Sequence, residues 1–99
     1  MAFSHCSKLK NITMPSTVTE IGQCAFQYCS ELSTIKIPKS VTKIEIMAFL
    51  ECSELTRIEY DGTIAEWYAI TKEDYSLLSW DRNTGDYTVI CTNGTVSKQ

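Results

Sequence analysis

Shifted by 23 residues, the chain falls on itself: Ala2-Phe3-Ser4-His5-Cys6-Ser7-Lys8-Leu9 lies over Ala25-Phe26-Gln27-Tyr28-Cys29-Ser30-Glu31-Leu32 and Ala48-Phe49-Leu50-Glu51-Cys52-Ser53-Glu54-Leu55. Five of these eight columns are identical in all three copies. The match continues through Leu9-x-x-Ile12-x-Met14-Pro15, Leu32-x-x-Ile35-x-Ile37-Pro38 and Leu55-x-x-Ile58-x-Tyr60-Asp61, then through Val18-x-x-Ile21, Val41-x-x-Ile44 and Ile64-x-x-Trp67. A unit this small cannot bury an apolar face alone, so a fixed period of this length predicts stacked coils that share one core, a repeat solenoid.

Within each copy the alternation L-x-x-I-x-I suits a short strand with one side buried, and β-branched residues favour that state. Strands are expected close to Lys10–Met14, Ser33–Ile37 and Thr56–Tyr60. Pro15 and Pro38 follow two of them at once, where a missing N–H and a fixed φ turn the chain away. The Ala-Phe-x-x-Cys segment on the return side has apolar residues at i, i+1 and i+4, which predicts a single inward-facing helical or 3₁₀ turn. Stacking the coils sets equivalent strands side by side in a parallel sheet with ladders of identical side chains.

The motif I-x-x-x-A-F-x-x-C-x-x-L-x-x-I-x-I-P, carried here by Ile21 to Pro38, resembles the BspA-like (Treponema-type) leucine-rich repeats of bacterial surface proteins. The resemblance covers residues 2–67. It implies a mainly β, α+β fold: a leucine-rich-repeat solenoid with its short parallel sheet on a concave face, and a location at the cell surface or outside the cell. The stretch Tyr60 to Trp67, with Trp80 and Val89 to Val96, is similar to segments that end such arrays in gut bacteria.

After Tyr60 the period degrades. Asp61 replaces the proline and Trp67 falls in the column of Ile21 and Ile44, as expected where an atypical capping repeat begins. Trp67, Ile70, Tyr75 and Leu78 have an interrupted helical spacing, which predicts one short helix within Ala65 to Trp80, broken near Lys72 to Asp74. The alternation Tyr87–Cys91, with Asn93-Gly94 as a tight-turn pair, predicts a closing strand or hairpin. The expectation is one structural domain, with repeats over residues 1–67 and a helix and hairpin cap over 68–99.

No stretch approaches the roughly 18 apolar residues of a spanning helix, and Met1 to Ser7 lack the pattern of a signal peptide. The net charge of −3 arises from intermixed signs with no basic run, which argues against nucleic acid and against an anionic membrane surface as partners. The column Cys6, Cys29 and Cys52 reads as a buried ladder of small apolar side chains rather than a metal site, and Cys24 shares its column with Met1 and Met47. Cys91 is left unassigned, a disulfide included. His5 shares its column with Tyr28 and Glu51, so no repeated chemistry supports it as a base or ligand. Asp81 to Asp86 lacks the downstream glutamate of a calcium loop and reads as a polar turn. Asn11 and Asn93 begin glycosylation-type triplets and are read as unmodified. Glu66, Glu73 and Asp74 read as a solvated helix face. The chain is therefore expected to be no enzyme and to hold no cofactor.

If Leu9, Ile12 and Met14 point inward, then Lys10, Asn11 and Thr13 point out, as do Ser33, Thr34 and Lys36 and then Thr56, Arg57 and Glu59. Stacking turns these nine into a grid, the candidate surface for a protein partner, with Arg57, Lys36 and Asn11 as polar anchors and Tyr28 on the opposite face. The alternative is a capping fragment of a longer array with no binding role of its own. The first coil is expected to leave an open edge strand, which implies either a longer array or a homodimer paired through the N-terminal coil.

Overall fold

The computed structural model describes residues 8–73, 79–82 and 84–98, so the expectations for Met1, His5, Cys6, Tyr75, Leu78 and Asn83 lie outside the described residues. Three of the strands, β1 (Asn11–Thr13), β3 (Thr34–Ile37) and β5 (Arg57–Tyr60), fall within a residue of the ranges read from the alternation. Shorter strands on the return side are β2 (Glu20–Ile21), β4 (Lys43–Ile44) and β6 (Thr71–Lys72), and the chain ends in β7 (Thr88–Cys91) and β8 (Gly94–Ser97). One helix, α1 (Ile64–Ala69), is present among the described residues. Two open sheets result, ordered β1-β3-β5-β7-β8 and β2-β4-β6.

The first strands pair in parallel with equivalent positions facing each other: Ile12 opposite Ile35 opposite Ile58, and Ile21 opposite Ile44. Between the two sheets lie the apolar columns. Leu32 and Leu55, Ile35 and Ile58, and Cys29 and Cys52 are each fully buried, and Phe26 stacks on Phe49 with ring centroids 5.3 Å apart. Hydroxyls tie each coil to the one before it: Ser33 Oγ donates to the Lys10 carbonyl, Thr56 Oγ1 to that of Ser33, Thr42 Oγ1 to that of Thr19 and Ser40 Oγ to that of Val18.

The described Ala-Phe-x-x-Cys segments are tight turns, as expected of a single turn, but neither α-helical nor 3₁₀. Ala25, Gln27 and Cys29 donate their N–H groups three residues back, but Cys24, Phe26 and Tyr28 donate theirs across to the carbonyls of Ile46, Ala48 and Leu50 in the next coil. The reason is local. Cys24 and Tyr28, and their equivalents Met47 and Glu51, take left-handed φ values of 55° to 62°, which breaks the helical sequence of dihedrals and turns alternate amides outward. Left-handed backbone costs a non-glycine residue roughly 1–2 kcal/mol, offset here by a hydrogen bond between coils at every second residue.

The C-terminal third departs further from expectation. Helix α1 is the one short helix expected, six residues long, but it ends at Ala69 and the chain turns to strand at Thr71. A capping box starts it: Thr63 Oγ1 accepts from Glu66 N–H, and Glu66 Oε1 accepts from Thr63 N–H. Asn93 Oδ1 accepts from Ile64 N–H, and Lys72 Nζ donates to the carbonyls of Trp67 and Ile70 at the other end. Ile70 is extended, and β6 then pairs in parallel with β4, setting Lys72 opposite Ile44. Trp67 therefore does not occupy the Ile21 and Ile44 column. The helix adds five residues to the coil, Lys72 takes the column, and Trp67 packs edge-on against Tyr60 and Trp80 instead.

Trp80 meets the edge of the Phe49 ring at 6.1 Å, and its carbonyl accepts from Phe49 N–H, so it continues the phenylalanine ladder. Strand β7 continues the large sheet in parallel, with Ile58 opposite Val89, and β8 returns antiparallel along it. The hairpin turns at Thr92-Asn93, one residue earlier than the Asn93-Gly94 reading, and Gly94 faces Cys91 within the ladder.

Candidate binding face

The residues that alternate with the buried ladder form the outer face of the large sheet. Asn11, Thr34, Arg57 and Thr88 make one row across β1, β3, β5 and β7, and Thr13, Lys36, Glu59 and Ile90 make the next. Six of the nine grid residues read from sequence are thus brought together: Asn11, Thr13, Thr34, Lys36, Arg57 and Glu59. Lys10, Ser33 and Thr56 are not on this face. They precede the strands, and the Ser33 and Thr56 hydroxyls are turned onto the preceding coil. Sequence reasoning misses Thr88 and Ile90, because the alternation Tyr87–Cys91 predicts a closing strand, whereas β7 is the next rung of the sheet.

Charge is concentrated at the centre of the face. Arg57 Nε donates to Glu59 Oε2 at 2.7 Å, and Lys36 Nζ lies 3.8 Å from Glu59 Oε1 across the strand pair. The cationic side chains are more than half exposed and Glu59 is half-buried. Exposed ion pairs of this kind contribute roughly 0.2–1 kcal/mol, so the fold has little need of them. Beside them a shallow groove of about 480 Å³ crosses the C-terminal ends of β1, β3, β5 and β7, from Met14 and Thr13 past Pro38 and Asp61 to Ile90 and Thr92.

The remaining groups with chemical potential are held in the core. Cys29 and Cys52 are fully buried, as a packing ladder requires, and burial pushes the Cys52 thiol up to about 12. Its Sγ donates to the Phe26 carbonyl. Cys91, left open by the sequence, is a free thiol buried in β7. Asp81 Oδ2 accepts from the buried Tyr87 hydroxyl at 2.8 Å, and both burial and that carboxylate raise the phenol above its ordinary range. Lys72 Nζ lies 4.4 Å from the centre of the Trp67 ring, and burial lowers the amine to about 8. Tyr28 is exposed, as read, on the return side. No helix among the described residues is long and apolar enough to cross a membrane.

Residues 1–76 match the model of the family described as BspA type leucine-rich repeat region (6 copies). The crystal structure of a leucine-rich cell surface protein from Faecalibacterium prausnitzii is similar to this chain, with a TM-score of 0.71 and 42% sequence identity over 75% of the chain. The chain corresponds to 20% of the length of that protein. No curated protein matches it significantly.

Proposed function

The chain belongs to the BspA-type leucine-rich repeat family, and from that premise we propose that it is a protein-binding or adhesive module of a cell-surface protein, which meets its partner with the outer face of β1-β3-β5-β7. In this reading the paired sheets are coils of a 23-residue solenoid, the sheet face is its concave side, and the hairpin β7-β8 is its cap. One observation carries the proposal. Lys36 and Arg57, each more than half exposed, stand with the half-buried Glu59 on strands above a buried ladder, lining a groove that crosses four strands. Cations that stability does not require, held on a fixed backbone, suit contact with a partner. The reading is of a binding module and not an enzyme, with the Cys52 thiol, raised by burial, serving the packing of the core.

Immobilised chain is to be tested against a panel of bacterial and host surface proteins, alongside Lys36→Glu/Arg57→Glu and the return-side variant Lys43→Glu. The expected partner is retained by Lys43→Glu and lost by the double reversal. A partner kept by the double reversal contradicts the assignment of the face. The alternative role, ending an array without binding, is favoured by the antiparallel β8, which covers one edge of the large sheet; a panel that yields no partner supports it. Among the described residues β1 and β2 are the outer strands of their sheets, and a homodimer paired at that edge remains part of the proposal. Light scattering tests it, and a monomer at all concentrations contradicts it.

A further inference from the structure

The groove's chemistry narrows what can occupy it, given the reading that the sheet face is the partner face. Arg57 spends only its Nε on Glu59, so among the described residues its two terminal nitrogens have no partner. Glu59 fixes the guanidinium plane through a 2.7 Å bond and holds Lys36 beside it. A guanidinium anchored in this way presents a two-donor fork that matches one carboxylate, and less of its side-chain entropy remains to be lost on binding. The surroundings limit the charge the groove tolerates. Glu59 and the exposed Asp61 line the same groove, so each cation is balanced and a run of acidic groups or phosphates is repelled. The half-buried Met14 and Ile90 make its two ends apolar. Four adjacent strands span about 14 Å, the length of about four residues of extended peptide.

We propose that this groove takes an extended peptide segment with a single acidic side chain, its carboxylate gripped by the terminal nitrogens of Arg57 beside Lys36 and its apolar neighbours resting on Met14 and Ile90. Glu59 acts as a positioning residue through Arg57, and Asp61 disfavours a second acid at the position next to it.

Random octapeptides displayed on phage are to be selected on the full chain, on Arg57→Lys and on Glu59→Gln. Selected peptides are then measured by fluorescence anisotropy beside copies in which the acid is replaced by its amide. The expected result is one acidic residue with an apolar residue close by, and at least about tenfold weaker binding of the amide copy. Arg57→Lys keeps the charge but loses the fork, and should reduce that discrimination to about twofold. Glu59→Gln keeps an acceptor for Nε and should fall between the two. The inference is overturned by selection without acidic enrichment, by a preference for acidic runs, by discrimination that survives Arg57→Lys, or by a library that gives no binder. A surface-protein partner sensitive to the Lys36/Arg57 reversal, but bound through a segment without an acid, overturns this inference and leaves the face standing. A partner insensitive to the reversal removes both.

Discussion

Cys24, Tyr28, Met47 and Glu51 adopt a backbone conformation that side chains other than glycine rarely take, and they do so at the same two positions of successive coils. Nothing in those side chains announces it. The columns hold Cys and Met, Tyr and Glu, so the conformation follows from the bonds between coils and was not legible in composition or spacing. Replacing Glu51 by Val or by Gly removes its carboxylate in both cases, so the difference between them reflects chiefly how each tolerates the left-handed backbone. Val should be less stable than Gly by about 1–3 kcal/mol in urea melts, since a β-branched residue suits this conformation least. The cysteine ladder, by contrast, was legible, because identical small apolar residues one per coil can only stack. Native-state alkylation at pH 8 with peptide mapping should modify the half-exposed Cys24 and spare Cys29 and Cys52. The folded Cys52 thiol ionises near 12, whereas a thiol in the unfolded chain ionises near 9. Between these values the folded state keeps a proton that the unfolded state releases, so this contribution is full below pH 9 and is lost as pH rises towards 12. Between pH 8.5 and 10.5 the wild type should therefore lose more stability than Cys52→Ala, and equal losses in parallel denaturant melts would contradict the assignment.

At the level of elements, the strands β1, β3 and β5 were readable because alternation and period agree there. The fourth coil was not, because α1 adds five residues before β6 and displaces every later column. A signal for the helix was present: Thr63 and Glu66 stand at the spacing of a capping box. A second one lay in Ser79-Trp80, which follows Ala48-Phe49 by the same interval that separates Ile58 from Val89. A helix of six residues does not persist on its own, so its caps matter. Thr63→Ala should lower stability by about 1 kcal/mol in thermal melts. Gly85 marks a close approach of the longer coil to its neighbour, since a Cβ there would lie 2.4 Å from the Leu55 carbonyl oxygen. Gly85→Ala should accordingly displace backbone and destabilise the fold by more than the Thr63 change, and an unaltered melting temperature would count against the packing described for this coil.

Across the whole molecule, the inward and outward residues of the sheet divide the work between stability and recognition. Phe49 is fully buried between Phe26 and Trp80, and its truncation to Ala should cost about 3–5 kcal/mol. Arg57→Ala, on the outer face, should stay within about 0.5 kcal/mol of the wild type. The candidate face was two thirds legible because strict alternation places Asn11, Thr13, Thr34, Lys36, Arg57 and Glu59 outward. Lys10, Ser33 and Thr56 fall off it because adjacent residues of a strand cannot share a face, and each precedes its strand. The measurement that bears most directly on the proposed face is chemical-shift mapping of the isotope-labelled chain with a partner found in the surface-protein panel. Shifts are expected to be confined to the outer face of β1, β3, β5 and β7 and to the groove from Met14 past Lys36, Arg57, Glu59 and Asp61 to Ile90; shifts clustered on β2, β4 and β6 would contradict the assignment.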